Sequence, residues 1–395
     1  MDLNFTEEEL FFQTEVRAFL AENLTPELAR AQQMTPTVVL EPEIYTEWHK
    51  ILYARGWVAP HWPKEYGGPG WSPAQRYIFE LECARVDAPL LPTIGLRMVG
   101  PVIMGYGSDA QKQKYLPRIL SGDDIWCQGY SESGAGSDLA ALKTRAVREG
   151  EFYRVSGSKI WTTYGHHANL MFTLVRTGDS GRRQEGISCL IIDMNWPGVI
   201  VRPIHTIGGD HDVNEVFLDD VMVPAENLVA EEGKGWTTGK YLLQFERGVF
   251  ASARLRRHLD HVIDLIGLRA GIPRDAALVS RIAALDVDVE TLAMTELRVM
   301  SALQAGQNAG AMSSQLKIRV SELRQAITRL AVDLLGYDAL VWTDHRPLYA
   351  LPEEPVIPEQ ALVVTPEYLN TRAVTIYGGA AEIQRDILAK SILDL

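Results

Sequence analysis

Cysteine is scarce in this chain: Cys83, Cys127 and Cys189 are the only three in 395 residues. An odd number at wide spacing excludes a complete disulfide framework and any Cys-x-x-Cys metal pair, and it fits a reducing compartment. The chain also lacks an uninterrupted apolar run of the roughly 20 residues that a spanning helix needs. Its opening, MDLNFTEEELFFQTEVRAFL, carries no basic stretch ahead of an apolar one, which is the mark of an export signal. The expectation is a cytoplasmic protein without a membrane span. Positive charge is short too, with 38 Lys and Arg against 51 Asp and Glu. The resulting −13 sets up a field that repels nucleic acid and anionic membranes. There is no internal repeat and no low-complexity tract.

What is present describes an ordinary folded protein, 46% hydrophobic and 23% charged. The length exceeds the roughly 250–300 residues at which single cores stop growing, so two or three domains are expected. Residues 1–122 read helical, with capping boxes at Thr6/Glu9 and Ser108/Gln111 and a Ser72-Pro73 start. Residues 123–232 turn to short β-rich runs, GEFYRVSGSKIWTT, NLMFTLVRT, GISCLIIDM, GVIVRPI and NEVFLDDVMVP, divided by Gly, Asp, Asn and Pro. That spacing predicts a compact barrel or sandwich rather than βαβ units.

Residues 233–395 return to helix. Leu316, Val320, Leu323, Ile327, Leu330 and Leu334 step by four and three toward Gly336, the stripe of a helix facing a core. Helices over 236–268, 277–308, 314–335 and 367–393 predict a four-helix bundle, with the proline-rich 351–366 as a loop. The fold class is therefore α+β and multidomain: helical domain, β-barrel or sandwich, four-helix bundle.

Several familiar sites fail. GAGSD at 134–138 has Leu139 where a dinucleotide fingerprint needs its third glycine, and no Walker lysine loop exists. His166–His167 and His211–Asp212 are the best metal candidates, but neighbours in a strand point apart and no third ligand is evident, so surface loops are the plainer reading. Arg254, Arg256 and Arg257 could meet a phosphate, although such runs are more often a solvated helix face. Glu246 is the more informative carboxylate. Leu242, Leu243, Val249 and Phe250 are its helix neighbours at three and four residues, and desolvation there would raise its pKa toward that of a general base. It could equally tip out of the bundle or pair with an arginine of another helix.

The order helical, β, bundle, together with YSESGAGSD (130–138), SGSKIWTT (156–163) and IYGGAAEIQR (376–385), resembles the acyl-CoA dehydrogenase family. GSDAQKQKYLPRILSGD before the β region and VNEVFLDDVMVPAENLV at its end extend the resemblance over nearly the whole chain. It implies an FAD enzyme that removes hydrogens from Cα and Cβ of an acyl-CoA, yields the trans-2-enoyl thioester and passes electrons to an electron-transferring flavoprotein. It further implies that Gln128, Tyr130 and Ser131 line the flavin, that Trp161 and Thr163 flank and hydrogen-bond its ring, and that Ser137 lies near the pyrophosphate and the CoA arm. Gly379, Ala380 and Glu382 match positions near the dinucleotide end of FAD.

The residue after Tyr377 is the catalytic glutamate in many relatives, and here it is Gly378. Another branch, including isovaleryl-CoA and long-chain dehydrogenases, places its glutamate on the first bundle helix before an arginine, as Glu246–Arg247 stand here. The resemblance thus implies Glu246 as base, the Gly378 N–H as a donor to the thioester carbonyl, and Arg247 and Tyr377 beside the substrate. The Arg-x-x-Phe-Gly stretch that reaches a neighbouring subunit's FAD in many relatives is replaced by LRAGIPRDAAL, with Arg269 and Arg274 as the available cations. The chain looks closest to the branch of pimeloyl-CoA and steroid side-chain dehydrogenase large subunits, some of which are heteromers. A homo-oligomer or a heteromer with a second such chain is implied. Two alternatives are a non-catalytic partner subunit and a flavin oxidase or monooxygenase on the same fold.

Overall fold

The computed structural model describes residues 5–179, 181–246, 250–268, 276–307, 310–342 and 357–394. The first region consists of α1 (Glu7–Asn23), α2 (Pro26–Gln33), α3 (Pro42–Arg55), α4 (Pro73–Arg85), a π-helical turn (Ile94–Val99) running into α5 (Gly100–Tyr106), and α6 (Asp109–Ser121). Thr6/Glu9, Ser72/Gln75 and Ser108/Gln111 form reciprocal capping boxes, which satisfy otherwise orphaned N–H groups at three helix starts. The π-helical turn has an identifiable cause. The Trp62 indole N–H donates to the Leu96 carbonyl at 2.6 Å, and its ring lies where a Cβ on Gly100 would be only 2.2 Å away.

The middle region carries β1 (Trp126–Gly129), β2 (Arg145–Glu149), β3 (Phe152–Thr163), β4 (Leu170–Arg176), β5 (Ile187–Asp193), β6 (Val199–Ile204), β7 (Val213–Pro224) and β8 (Leu228–Val229). These eight form one sheet in the order β6-β7-β3-β2-β4-β5-β8, with β1 paired parallel to β4. Alternation along the strands supplies two cores. Phe172, Leu174, Cys189 and Ile191 face the N-terminal helices and Leu242, whereas Met171, Val175, Leu190 and Ile192 face Val155, Val216 and Val221. Burial on both faces is why β4 and β5 read as continuous apolar runs.

The last region holds α7 (Gly235–Glu246), α8 (Ser252–Leu268), α9 (Ala276–Gln304), α10 (Met312–Leu335), α11 (Val364–Asn370) and α12 (Ala381–Ile392). The stripe on α10 is placed as expected, with Leu316, Leu323, Ile327, Leu330 and Leu334 buried against α8 and α9. Two expectations are corrected. The helix expected over 236–268 is two helices, α7 and α8. The one expected over 367–393 starts earlier and is interrupted, because Gly378 and Gly379 adopt φ of +65° and +87°, which no α-helix contains. No described helix is long and apolar enough to cross a membrane.

Candidate active site

The site begins where β1 ends. The Ile160 N–H donates to the Ser131 carbonyl at 2.9 Å, so the segment after β1 lies against the end of β3. A buried ion pair reinforces this: Lys159, fully buried, donates to Glu132 at 2.7 Å. Glu132 also accepts the Lys143 and Thr144 N–H groups at 2.6 and 2.9 Å. Burial lowers the Lys159 pKa to about 8 even with Glu132 beside it. Burial opposes the charge of Glu132 too, but Lys159 and the converging donors outweigh it and hold its carboxyl below the usual range.

This clamp sets out the residues matched to the flavin. Gln128 is half-buried on β1. Tyr130 is buried, its ring 6.4 Å from Phe172, with its hydroxyl beside Gly239 of α7. Ser131 is half-buried and Ser137 exposed. Trp161 sits in the left-handed region (φ +61°) with 59% of its surface open, and half-buried Thr163 closes β3. A non-glycine residue rarely accepts that backbone. Here it turns a large flat indole outward beside the β1 end, which is a surface an isoalloxazine ring can stack on.

Glu246 is the last residue of α7, which packs across the π-helical turn, α5, β4 and β5. Tyr241 on this helix meets Tyr106 edge-on at 5.2 Å, and Leu242 is fully buried. The Glu246 side chain and Arg247 lie outside the described residues, as do Arg269 and Arg274.

The C-terminal stretch reaches the β region separately. Asn370 at the end of α11 donates to Asp212 at 3.0 Å, and a Cβ on Gly208 would stand 3.0 Å from the Pro366 carbonyl. Beyond it Tyr377 is 49% exposed and the left-handed Gly378 and Gly379 follow. Ala380 is the N-cap of α12 and offers no side-chain acceptor; the Ala381 N–H donates instead to the Thr375 carbonyl at 2.8 Å, and exposed Glu382 stands in the first turn. Sequence reasoning missed Gln384, which is fully buried there with both amide atoms unpartnered among the described residues.

The other candidates resolve differently. His166 follows β3 and His211 precedes β7, and these two loops meet. The two rings stack at 3.9 Å, with His167 3.9 Å from His166, yet no group of side chains among the described residues could hold a metal ion. Arg256 pairs with Asp286 and Glu290, Arg257 with Asp87 at 2.8 Å, and Arg254 donates to the Ala88 carbonyl. The cluster joins helices, and neither a phosphate site nor a plain solvated face describes it.

Family models for the N-terminal, middle and C-terminal domains of acyl-CoA dehydrogenase match residues 6–123, 127–221 and 233–393. The chain belongs to the acyl-CoA dehydrogenase family. "Acyl-CoA dehydrogenase IpdE1" of Mycobacterium tuberculosis is 35% identical over 397 residues, with 97% of each chain covered. "Acyl-CoA dehydrogenase FadE26" of the same organism is 32% identical, covering 100% of this chain and 99% of its own. Among solved structures, "Tcur3481-Tcur3483 steroid ACAD" superposes with a TM-score of 0.85 at 30% identity, covering 100% and 99% of the two chains. The ChsE4-ChsE5 complex from Mycobacterium tuberculosis gives 0.81 at 31% identity, covering 100% and 99%. This acyl-CoA dehydrogenase is thus an FAD-dependent oxidoreductase. The outward Trp161 indole beside the β1 end fits that cofactor.

Proposed function

We propose that this acyl-CoA dehydrogenase converts its substrate to the trans-2-enoyl-CoA with Glu246 as the base. The observation that carries the reading is a complementary pair of positions. Gly378 leaves no side chain where many relatives carry their glutamate, and Glu246, with Arg247 next in sequence, is the last residue of α7. Glu246 takes the α-proton. The Gly378 N–H donates to the thioester carbonyl as charge builds on it, an interaction typically worth a few kcal/mol of barrier. Arg247 and Tyr377 lie beside the substrate, and Ser137 reaches the CoA arm. Bound FAD supplies the acceptor for the β-hydride. Gln128, Tyr130, Ser131, Trp161 and Thr163 hold its ring, and Gly379, Ala380 and Glu382 its dinucleotide end. An electron-transferring flavoprotein would be the partner that takes the electrons.

The missing side chain at Gly378 leaves volume beside the acyl chain, which suits a branched or ring-bearing group. Turnover of straight-chain acyl-CoAs alone would count against that step. The assembly proposed is a heteromer with a second acyl-CoA dehydrogenase-like chain. Two observations support it: the Arg-x-x-Phe-Gly stretch is replaced by LRAGIPRDAAL, and the Tcur3481-Tcur3483 and ChsE4-ChsE5 structures above are both named as pairs.

The test is the visible spectrum of the purified protein before and after anaerobic addition of an acyl-CoA panel, beside Glu246→Gln. A yellow protein that bleaches, and a yellow variant that does not, is the expected result. Bleaching of the variant at the native rate overturns Glu246 as base. A colourless chain that gains flavin and activity only with a second polypeptide moves the site to the heteromer. Peroxide release in air would favour an oxidase.

A further inference from the structure

Asn214 is fully buried at the start of β7, where that strand pairs with β3 opposite Thr162. The β3–β7 register shifts between Lys159 and Thr162, so Trp161 falls in the interruption and its left-handed backbone is not held by regular ladder bonds. Asn214 supplies what the ladder does not. Its Nδ2 donates to the Thr162 carbonyl at 3.1 Å and to His166 Nδ1 at 2.9 Å, while its Oδ1 accepts from His211 Nε2 at 2.7 Å. Because the Thr162 carbonyl can only accept, the amide nitrogen must face it. That orientation makes His166 Nδ1 an acceptor, so His166 is neutral with its proton on Nε2.

The surroundings hold the same state. Burial, then His167 and His211, lower the His166 pKa to about 4. The titratable and charged groups facing this cluster are His167, His205 and His211, with Asp212 behind them and Glu41 and Glu43 acting on His167. The Asp212 carbonyl accepts the Tyr164 N–H at 3.2 Å, and its carboxylate accepts from Asn370 of α11. Asp212, just before β7, and Asn214, at its start, therefore fix the turn at residues 161–164 from inside and tie it to the element leading to Gly378.

We propose that Asn214 is a positioning residue for the flavin edge: by holding the Thr162 carbonyl and a neutral His166, it keeps Trp161 and Thr163 presented to the cofactor. The proposal rests on the FAD reading of this family. It differs from a core role because it predicts how FAD affinity responds to pH when the amide is changed. In Asn214→Asp a carboxylate faces the Thr162 carbonyl and the His166 Nδ1 lone pair, three acceptors with no donor between them. The neutral Nδ1–H tautomer of His166 can supply one donor at any pH, and protonation adds charge to that N–H, so the bond to the carboxylate is strongest in acid. FAD binding by this variant should strengthen as pH falls, whereas the wild type, with His166 neutral throughout, should be flat from pH 5.5 to 8.

The experiment measures the FAD dissociation constant of deflavinated wild type, Asn214→Asp and Asn214→Ala by flavin fluorescence quenching at pH 5.5 and 8. The visible band shape of each loaded protein and the melting temperature of each flavin-free chain are recorded beside it. Expected are a tenfold or greater loss of affinity in Asn214→Ala with an altered 450 nm band, and an Asn214→Asp affinity several-fold tighter at pH 5.5 than at pH 8. FAD affinity of both variants within twofold of wild type at both pH values overturns the proposal. So does a loss that is pH-independent in Asn214→Asp and matched by collapse of the flavin-free melting temperature, because that is a purely structural role. A wild-type protein that binds no FAD in any assembly refutes the underlying cofactor reading instead.

Discussion

The Glu296 carboxylate of α9 accepts hydrogen bonds from the Ser252 N–H (3.0 Å) and hydroxyl, and from the Ala251 N–H (2.7 Å), so it caps α8 from another helix. Glu296 is fully buried, and burial raises its pKa to about 7 although its three donors pull the other way; nearby Glu80 pushes it further up. The cap stands directly after residues 247–249, and so fixes where the chain resumes beyond Glu246.

A pH dependence follows from that cap. Between the ordinary carboxyl pKa and about 7, folded Glu296 keeps a proton that the unfolded chain releases. Stability from this group is therefore fully present below the ordinary value and is lost as pH rises through 7. A shift of this size corresponds to about 3 kcal/mol. Urea unfolding of Glu296→Gln should show a shallower fall in stability between pH 5 and pH 7.5 than the native chain. Equal slopes in the two proteins would remove Glu296 as the source.

The Lys159–Glu132 pair makes a second prediction. Lys159 is fully buried, so Lys159→Met leaves the Glu132 carboxylate without its cation and should cost about 3–5 kcal/mol. Glu132→Gln added to that variant removes the stranded charge and should recover more than half of the loss, measured by urea unfolding. Additive losses in the double variant would mean that the two side chains act independently. Because the pair clamps the segment after β1 against β3, Lys159→Met should also release FAD.

How much of this was legible beforehand depended on whether the signal was local. Two of the capping boxes, the Ser72-Pro73 start and the five β-rich runs could be read because each is set by residues within a few positions of one another, and each became a helix start or a strand from β3 to β7. The three short strands β1, β2 and β8 carry too few alternating residues to stand out. The α10 stripe was equally plain, since burial repeats every turn. Lys159 and Glu132 are 27 positions apart, and Glu296 and Ser252 are 44 apart, so nothing in either neighbourhood announces the partner. The histidines were noticed as two pairs but not as one cluster, because their meeting depends on the β3–β7 register and on a single asparagine between them. Interruption of the last helix could have been anticipated from Gly378–Gly379, whose permissive backbone was visible even though its left-handed geometry was not.

Gln384 carries the last prediction. It lies on α12, which packs on α10, and its amide is fully buried with neither Nε2 nor Oε1 hydrogen-bonded among the described residues. A buried polar group without a partner costs about 1–3 kcal/mol. Methionine has nearly the same length and flexibility and no group that needs a partner. Gln384→Met should therefore stabilise the protein, raising its melting temperature by a few degrees at unchanged FAD content, as read by calorimetry and the visible spectrum. Gln384→Glu should do the opposite, since it places a carboxyl in the same dry position. A lowered melting temperature in Gln384→Met accompanied by lost flavin would show that the amide is used by the cofactor, and one accompanied by a changed assembly state that it is used by a second chain. Either result would turn an unsatisfied group into part of the site that Gly379 and Ala380 begin.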